Sequence, residues 1–105
     1  MFGGMNFGKM AKQVEEMQKQ IGRLQEDLKE RVVESTAGGG MVTVKVNGAG
    51  ALVDVKIDPS VINADDKGML EDLIIAAVNE GIKKANKLRE TEMQRITGMA
   101  LPGMM

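Results

Sequence analysis

Ala37-Gly38-Gly39-Gly40-Met41-Val42-Thr43-Val44-Lys45-Val46-Asn47-Gly48-Ala49-Gly50 is a strand bracketed by two glycine clusters, and it stands between two long segments with helical patterning. Val42, Val44 and Val46 alternate with Thr43 and Lys45, which makes one face apolar and the other polar. Glycine takes up positive φ without steric cost, so each cluster predicts a tight reversal. Upstream, Val32, Val33, Ser35 and Thr36 read as a preceding strand. Downstream, Val53, Val55 and Ile57 repeat the alternation against Asp54, Lys56 and Asp58 until Pro59 closes it. The expectation is a three-stranded antiparallel sheet, with Val53, Val55 and Ile57 turned inward.

Working outward, Met10, Val14, Met17, Ile21, Leu24 and Leu28 recur at steps of four and three, a heptad-like seam that predicts a helix from about Lys9 to Glu30. Such a helix is roughly 33 Å long, enough to project beyond a small body. Gly22 weakens it by about 1 kcal/mol relative to alanine. On the other side, Asp65 or Asp66 is a candidate N-cap, and Glu71 and Asp72 suit the positive end of a helix dipole. Leu70, Leu73, Ile74, Ala77, Val78, Ile82, Ala85, Leu88, Met93 and Ile96 then follow helical spacing. The first half of this helix is expected on the sheet and the second half free of it. The predicted architecture is α+β, in the order α-β-β-β-α, as one domain over residues 1–105 with loose ends at about 1–8 and 98–105.

With 105 residues the core of one copy is limited, so self-association is expected. The start, Met1-Phe2-Gly3-Gly4-Met5-Asn6-Phe7-Gly8, lacks the apolar block of a signal peptide, and no apolar run is long enough for a membrane span. A cytoplasmic protein without a membrane partner is expected. Histidine and cysteine are both absent. The commonest general base, the thiol nucleophile and the usual metal ligands are therefore missing, and no catalysis, cofactor, metal or small-molecule substrate is expected. After Gly40, Met41-Val42 stand where a phosphate-binding loop needs Lys followed by Ser or Thr. The acidic run Asn63-Ala64-Asp65-Asp66-Lys67-Gly68 fails as a calcium loop, because Lys67 takes a ligand position and Ile74 replaces the bidentate glutamate.

Fourteen basic and fifteen acidic residues give a net charge of −1, which does not by itself advertise a polyanionic partner. The distribution is more informative than the total. Lys83, Lys84, Lys87, Arg89 and Arg95 face only Glu90 and Glu92 in the last helix, whereas residues 54–80 are strongly acidic. Lys9 and Lys12 stand alone at the start of the first helix. Both helix tips can therefore present positive charge to phosphates. Tyr and Trp are absent, so stacking on single-stranded bases has little to work with, and duplex DNA contacted through phosphates is the expected nucleic-acid partner.

Several elements in fixed order resemble the YbaB/EbfC family of bacterial nucleoid-associated DNA-binding proteins. They are the Gly- and Met-rich start, the Met/Gln/Lys/Glu-rich first helix, Gly39-Gly40 with Val42 and Val44, Gly48, and Ile57 before the acidic linker. Met69-Leu70-Glu71-Asp72-Leu73, Ala76-Ala77 with Asn79, and Leu101-Pro102-Gly103 complete the set. The resemblance implies a tweezer-like homodimer that binds duplex DNA in the nucleoid with low sequence specificity, affecting nucleoid organisation and gene expression without catalysis. The segments corresponding to the family's DNA-contacting helices carry Lys9, Lys12, Lys83, Lys84, Lys87, Arg89 and Arg95. Gly81 falls where relatives favour alanine, which questions the straightness of the last helix. An alternative from another class is a prefoldin-like protein-binding or chaperone module, since helices flanking β-hairpins and Met-rich ends suit adaptable apolar contacts.

Overall fold

Alternation of period two in the centre and of period 3.6 on both sides produces the predicted order of elements. In the computed structural model, whose backbone is described from Phe2 to Ala100 and whose side-chain exposure is described from Phe7 to Gly98, these are α1 (Phe2–Glu30), β1 (Val32–Ala37), β2 (Val42–Asn47), β3 (Leu52–Ile57) and α2 (Lys67–Ala100). Two 3-10 turns, Pro59–Val61 and Ala64–Asp66, join β3 to α2. Helix α1 begins at Phe2 rather than near Lys9; Met1 and residues 101–105, on which part of the expectation of loose ends falls, lie outside the described residues.

The sheet is an antiparallel meander in the order β1-β2-β3. Val44 lies opposite Ser35 on one side and Val55 on the other. The β1–β2 turn runs through Gly38, Gly39 and Gly40 with φ of 66°, 67° and 94°, a conformation that L side chains rarely adopt. The β2–β3 pairing is irregular: Lys45 pairs with Asp54 and Val46 with Leu52, so Val53 is left without a partner. Val55 and Ile57 share the face of Val44 and Val42, as expected, but Leu52 rather than Val53 continues that face.

Helix α2 packs across β1 and β2. Val42, Val44 and Val46 are fully buried against Ala77 and Ala85, with Leu73, Ile74 and Val78 alongside. Gly81 sits at the closest approach: a Cβ there would lie 2.8 Å from Val46 Cγ2 and 3.2 Å from Val44 Cγ2. The missing side chain lets the helix settle onto the sheet, and α2 continues unbroken through Gly81. Ser35, opposite Val44, contributes to the same close contact, with its hydroxyl buried and unpartnered. β3 receives much less cover, and Leu52, Val53 and Val55 remain exposed.

The link to α2 is capped twice by side chains. Asp58 Oδ1 accepts the Ser60 N–H at 2.9 Å, a bond that holds the Asp58 carboxyl below its ordinary pKa. Asn63 Oδ1 accepts the Asp65 N–H at 2.9 Å, so Asn63 caps the turn leading into the helix, while Asp66 directly precedes α2. After Ala85, α2 leaves the sheet and runs beside α1. Leu24 and Leu28 are buried, Met17 and Ile21 half-buried, and Met10 and Val14 exposed. The result is a rod of 76 × 24 × 16 Å with a radius of gyration of 20.7 Å, against about 13 Å for a compact chain of this length.

Gly81 of α2 and Gly22 of α1 should respond oppositely to alanine. Gly81→Ala is expected to lower the unfolding free energy by about 1–2 kcal/mol, because overpacking outweighs the helix propensity gained. Gly22→Ala, with open space around it, should raise stability by up to about 1 kcal/mol. Urea denaturation of both variants at one protein concentration checks the pair.

Candidate nucleic-acid interface

The projecting arm consists of the N-terminal part of α1 and, for part of its length, the end of α2. At 3.6 residues per turn, Lys9, Lys12, Lys19 and Arg23 fall on one side of α1, opposite the Met10–Val14–Met17–Ile21–Leu24 seam. All four are exposed. They span about 21 Å of helix, with Glu16 among them. Lys19 and Arg23 were not singled out by charge counting, because Glu15, Glu16, Glu26 and Asp27 cancel them in a tally. Sorting the same residues by helical angle separates them.

Arg23 shares a cleft with Arg95, the last predicted cation of α2. Gln20, Arg23, Leu24 and Asp27 of α1 and Glu92, Arg95 and Ile96 of α2 line one shallow cleft of about 370 Å³. Glu92 organises its charge. Its side chain, only 15% exposed, lies 3.5 Å from Arg31 and 3.6 Å from Arg95. Arg31 also reaches Asp27 at 3.9 Å. Arg95 thus lies in the same cleft as Arg23 with its own side chain still 69% exposed, whereas Lys12 and Lys9 lie roughly 17 and 21 Å further along the arm.

The other four predicted residues occupy two different settings. Lys83 and Lys87, one helical turn apart, stand on the face of α2 turned away from the sheet. Lys83 has only a long contact with Glu80, 4.0 Å, and Lys87 has no ion pair among the described residues. Lys84 lies round the helix toward β1, where its Nζ donates to the Glu34 carbonyl at 2.9 Å. Arg89 is a strut of the fold: Nη1 donates to the Gly48 carbonyl at 3.2 Å and Nη2 to Asn86 Oδ1 at 2.6 Å, with the side chain half-buried.

That strut ends at the corner that sets the arm. Gly48 N donates to the carbonyls of Leu28 and Arg31 at 2.8 and 2.9 Å, and Asn47 Nδ2 donates to the Lys29 carbonyl at 3.2 Å. The β2–β3 turn therefore caps the C-terminal end of α1 with groups supplied from the sheet. A Cβ on Gly48 would lie 2.8 Å from the Leu28 carbonyl oxygen, so the approach requires glycine.

Comparison with known proteins bears on what such a surface meets. Residues 2–100 match the model of a family described as the YbaB/EbfC DNA-binding family. A nucleoid-associated protein of Pelotomaculum thermopropionicum is 50% identical over 105 residues, covering 99% of both chains. Another, from Thermoanaerobacter pseudethanolicus, is 45% identical and covers 97% of this chain and 93% of its own. Among solved structures, an uncharacterized protein from Helicobacter pylori superposes with a TM-score of 0.78 at 33% identity, covering 88% of this chain and 97% of that one.

The two settings of the basic residues are separable by stability. Arg89→Ala should lower the unfolding free energy by about 1.5–3 kcal/mol, since it removes charge-assisted hydrogen bonds at the corner. Lys87→Ala and Lys9→Ala should stay within about 0.5 kcal/mol of the parent. Thermal and urea unfolding of the three variants provides the comparison.

Proposed function

The chain belongs to the YbaB/EbfC DNA-binding family, and on that premise we propose that it binds duplex DNA as a homodimer, through phosphates and with little sequence preference, as a non-catalytic protein of the nucleoid. The observation that carries this reading is the exposed stripe Lys9, Lys12, Lys19 and Arg23, joined by Arg95 across the cleft. Phosphate contacts from such flexible cations position a protein without reading bases. Lys83 and Lys87 supply a second, smaller basic face, Lys84 flanks it, and Arg89 acts chiefly by holding the corner. Shape and deformability of the duplex, rather than base edges, then decide placement, and effects on nucleoid organisation and gene expression follow from occupancy along the DNA.

What α2 leaves bare suits a second copy of the chain. On the face that α2 partly covers, Leu52 and Val55 are 47% and 38% exposed, and Ile75 and Ile82 project from the adjacent flank of α2 at 56% and 38%. Ile75 and Ile82 are seven residues apart and so share a side of the helix; Arg89, seven further on, reaches the β2–β3 turn, which identifies that side as the one toward β3. Each copy therefore offers one uncovered strand and one unpaired helix flank. A twofold axis lets the helix flank of each copy cover the strand of the other, the self-complementary arrangement of an isologous interface. Single apolar residues on a surface are ordinary, but four on one side of a body this thin form a patch.

DNA affinity should fall with salt at a log–log slope near −0.9 per neutralised phosphate. Lys9→Glu with Lys12→Glu, and separately Lys83→Glu with Lys87→Glu, should weaken binding by similar factors on unrelated duplex sequences. Fluorescence anisotropy titrations at two salt concentrations measure this, and absence of binding at low salt would overturn the reading. Val55→Asp with Ile82→Glu should yield a folded monomer in sedimentation velocity; a dimer of unchanged affinity would rule out this interface.

A further inference from the structure

We propose that the free end of the arm is itself a pairing surface, on which α1 of one copy packs against α1 of a second copy as a short coiled coil. The heptad seam of α1 reads Phe7, Met10, Val14, Met17, Ile21, Leu24 and Leu28 at alternating a and d positions. Its lower part has a partner: Leu24 and Leu28 are buried, and Ile96 of α2 lines the cleft beside Leu24. Its upper part has none among the described residues. Phe7, Met10 and Val14 are 68%, 55% and 56% exposed, although they continue the same line.

The occupant is read from the positions that border the seam. In this register e and g are Ala11, Gln13, Gln18, Gln20 and Gln25, all uncharged; Asp27, level with the buried end, is the first charge among them. The charged residues of the same stretch, Lys9, Lys12, Glu15, Glu16, Lys19 and Arg23, occupy b, c and f. Coiled coils choose partners and orientation mainly through charges at e and g. A neutral border has no charge with which to select a different helix and no like-charge repulsion against its own copy. An identical helix therefore fits, and glutamines facing glutamines can hydrogen-bond across the seam. The helix is already continuous with a packed base, so pairing orders side chains rather than backbone.

The seam is separate from the dimer patch. Ile82 lies fourteen residues before Ile96, about 21 Å along α2, and Val14 lies nearly three turns, about 15 Å, beyond the level of Ile96 on α1. Two self-complementary surfaces on one rod link dimers to one another. The basic stripe points away from the seam, so paired arms carry Lys9, Lys12, Lys19 and Arg23 on opposite outer sides, in position to hold two duplex segments. This last step rests on the DNA-binding dimer described above; the pairing of the arms does not.

Sedimentation velocity over about a hundredfold concentration range tests the proposal on the full chain, with three variants: Met10→Asp/Val14→Asp in the seam, Val55→Asp/Ile82→Glu in the dimer patch, and Glu15→Ala on the outer side of the arm. The parent and Glu15→Ala should grow beyond two copies as concentration rises, the seam variant should stop at two, and the patch variant should also stop at two, through its arms. A parent that stays at two copies, with the seam variant unchanged from it, overturns arm pairing and leaves the dimer reading intact. A parent that is dimeric only while its seam is intact, and indifferent to the patch variant, supports arm pairing and overturns the patch dimer. A parent that is monomeric throughout overturns both. All positions substituted are exposed, and thermal unfolding identifies any variant whose folding has changed.

Discussion

The hydrogen bonds of Gly48 tie both helices to the turn between β2 and β3. Its N–H faces the last carbonyls of α1, its carbonyl receives Arg89 from α2, and it is itself the turn between β2 and β3. A helix end normally satisfies its free carbonyls from the residues that follow it in sequence. Here the cap comes from residues 47 and 48, and it fixes the direction in which α1 leaves the sheet. Asn47 reinforces the corner from within, since its Oδ1 accepts the N–H groups of Ala49 and Ala51 at 3.0 and 2.9 Å while its Nδ2 holds Lys29. Arg89 and Arg31 then bind the second helix to the same place, one through Gly48 and one through Glu92.

With the arm fixed there, the sheet receives only one helix, and that helix is set off-centre. Gly81 and Ser35 allow it to sit low over β1 and β2, where Val42, Val44 and Val46 are sealed completely. The same close fit leaves β3 with little cover beyond Ile57. Tight packing on one half of the sheet and an open apolar strand on the other are two results of the same placement of α2.

Much of this was readable in the residues, because the signals were local. Alternating valines between glycines identify strands, and steps of three and four identify helices, without any reference to distant parts of the chain. The meander order followed from the shortness of both turns. What escaped reading depended on contacts between distant elements. Gly81 looked like a weakness in a helix until Val44 and Val46 appeared beneath it. Arg89 counted as one more surface cation, although its partner is 41 residues away. Lys19 and Arg23 were hidden for a different reason: net charge ignores which side of a helix a residue occupies. Helix α1 reaches back to Phe2 although Gly3, Gly4 and Gly8 argue for a later start by propensity. Asn63 was not read as a cap at all, because it caps a 3-10 turn before α2 that has no distinct sequence signal.

The arm that leaves the Gly48 corner acts as a lever. Lys9 stands nineteen residues from Leu28, about 28 Å along a straight helix, so a tilt of about 10° at the corner carries it through about 5 Å. Hydrogen bonds that identify a base require placement to within about 0.5 Å, a tolerance such a lever magnifies past use. Attraction between a lysine and a phosphate acts over the screening length of the solution, about 8–10 Å in physiological salt, and survives the same displacement. Angular precision at a single glycine thus sets an upper limit on the kind of recognition that can be carried at the tip of the rod.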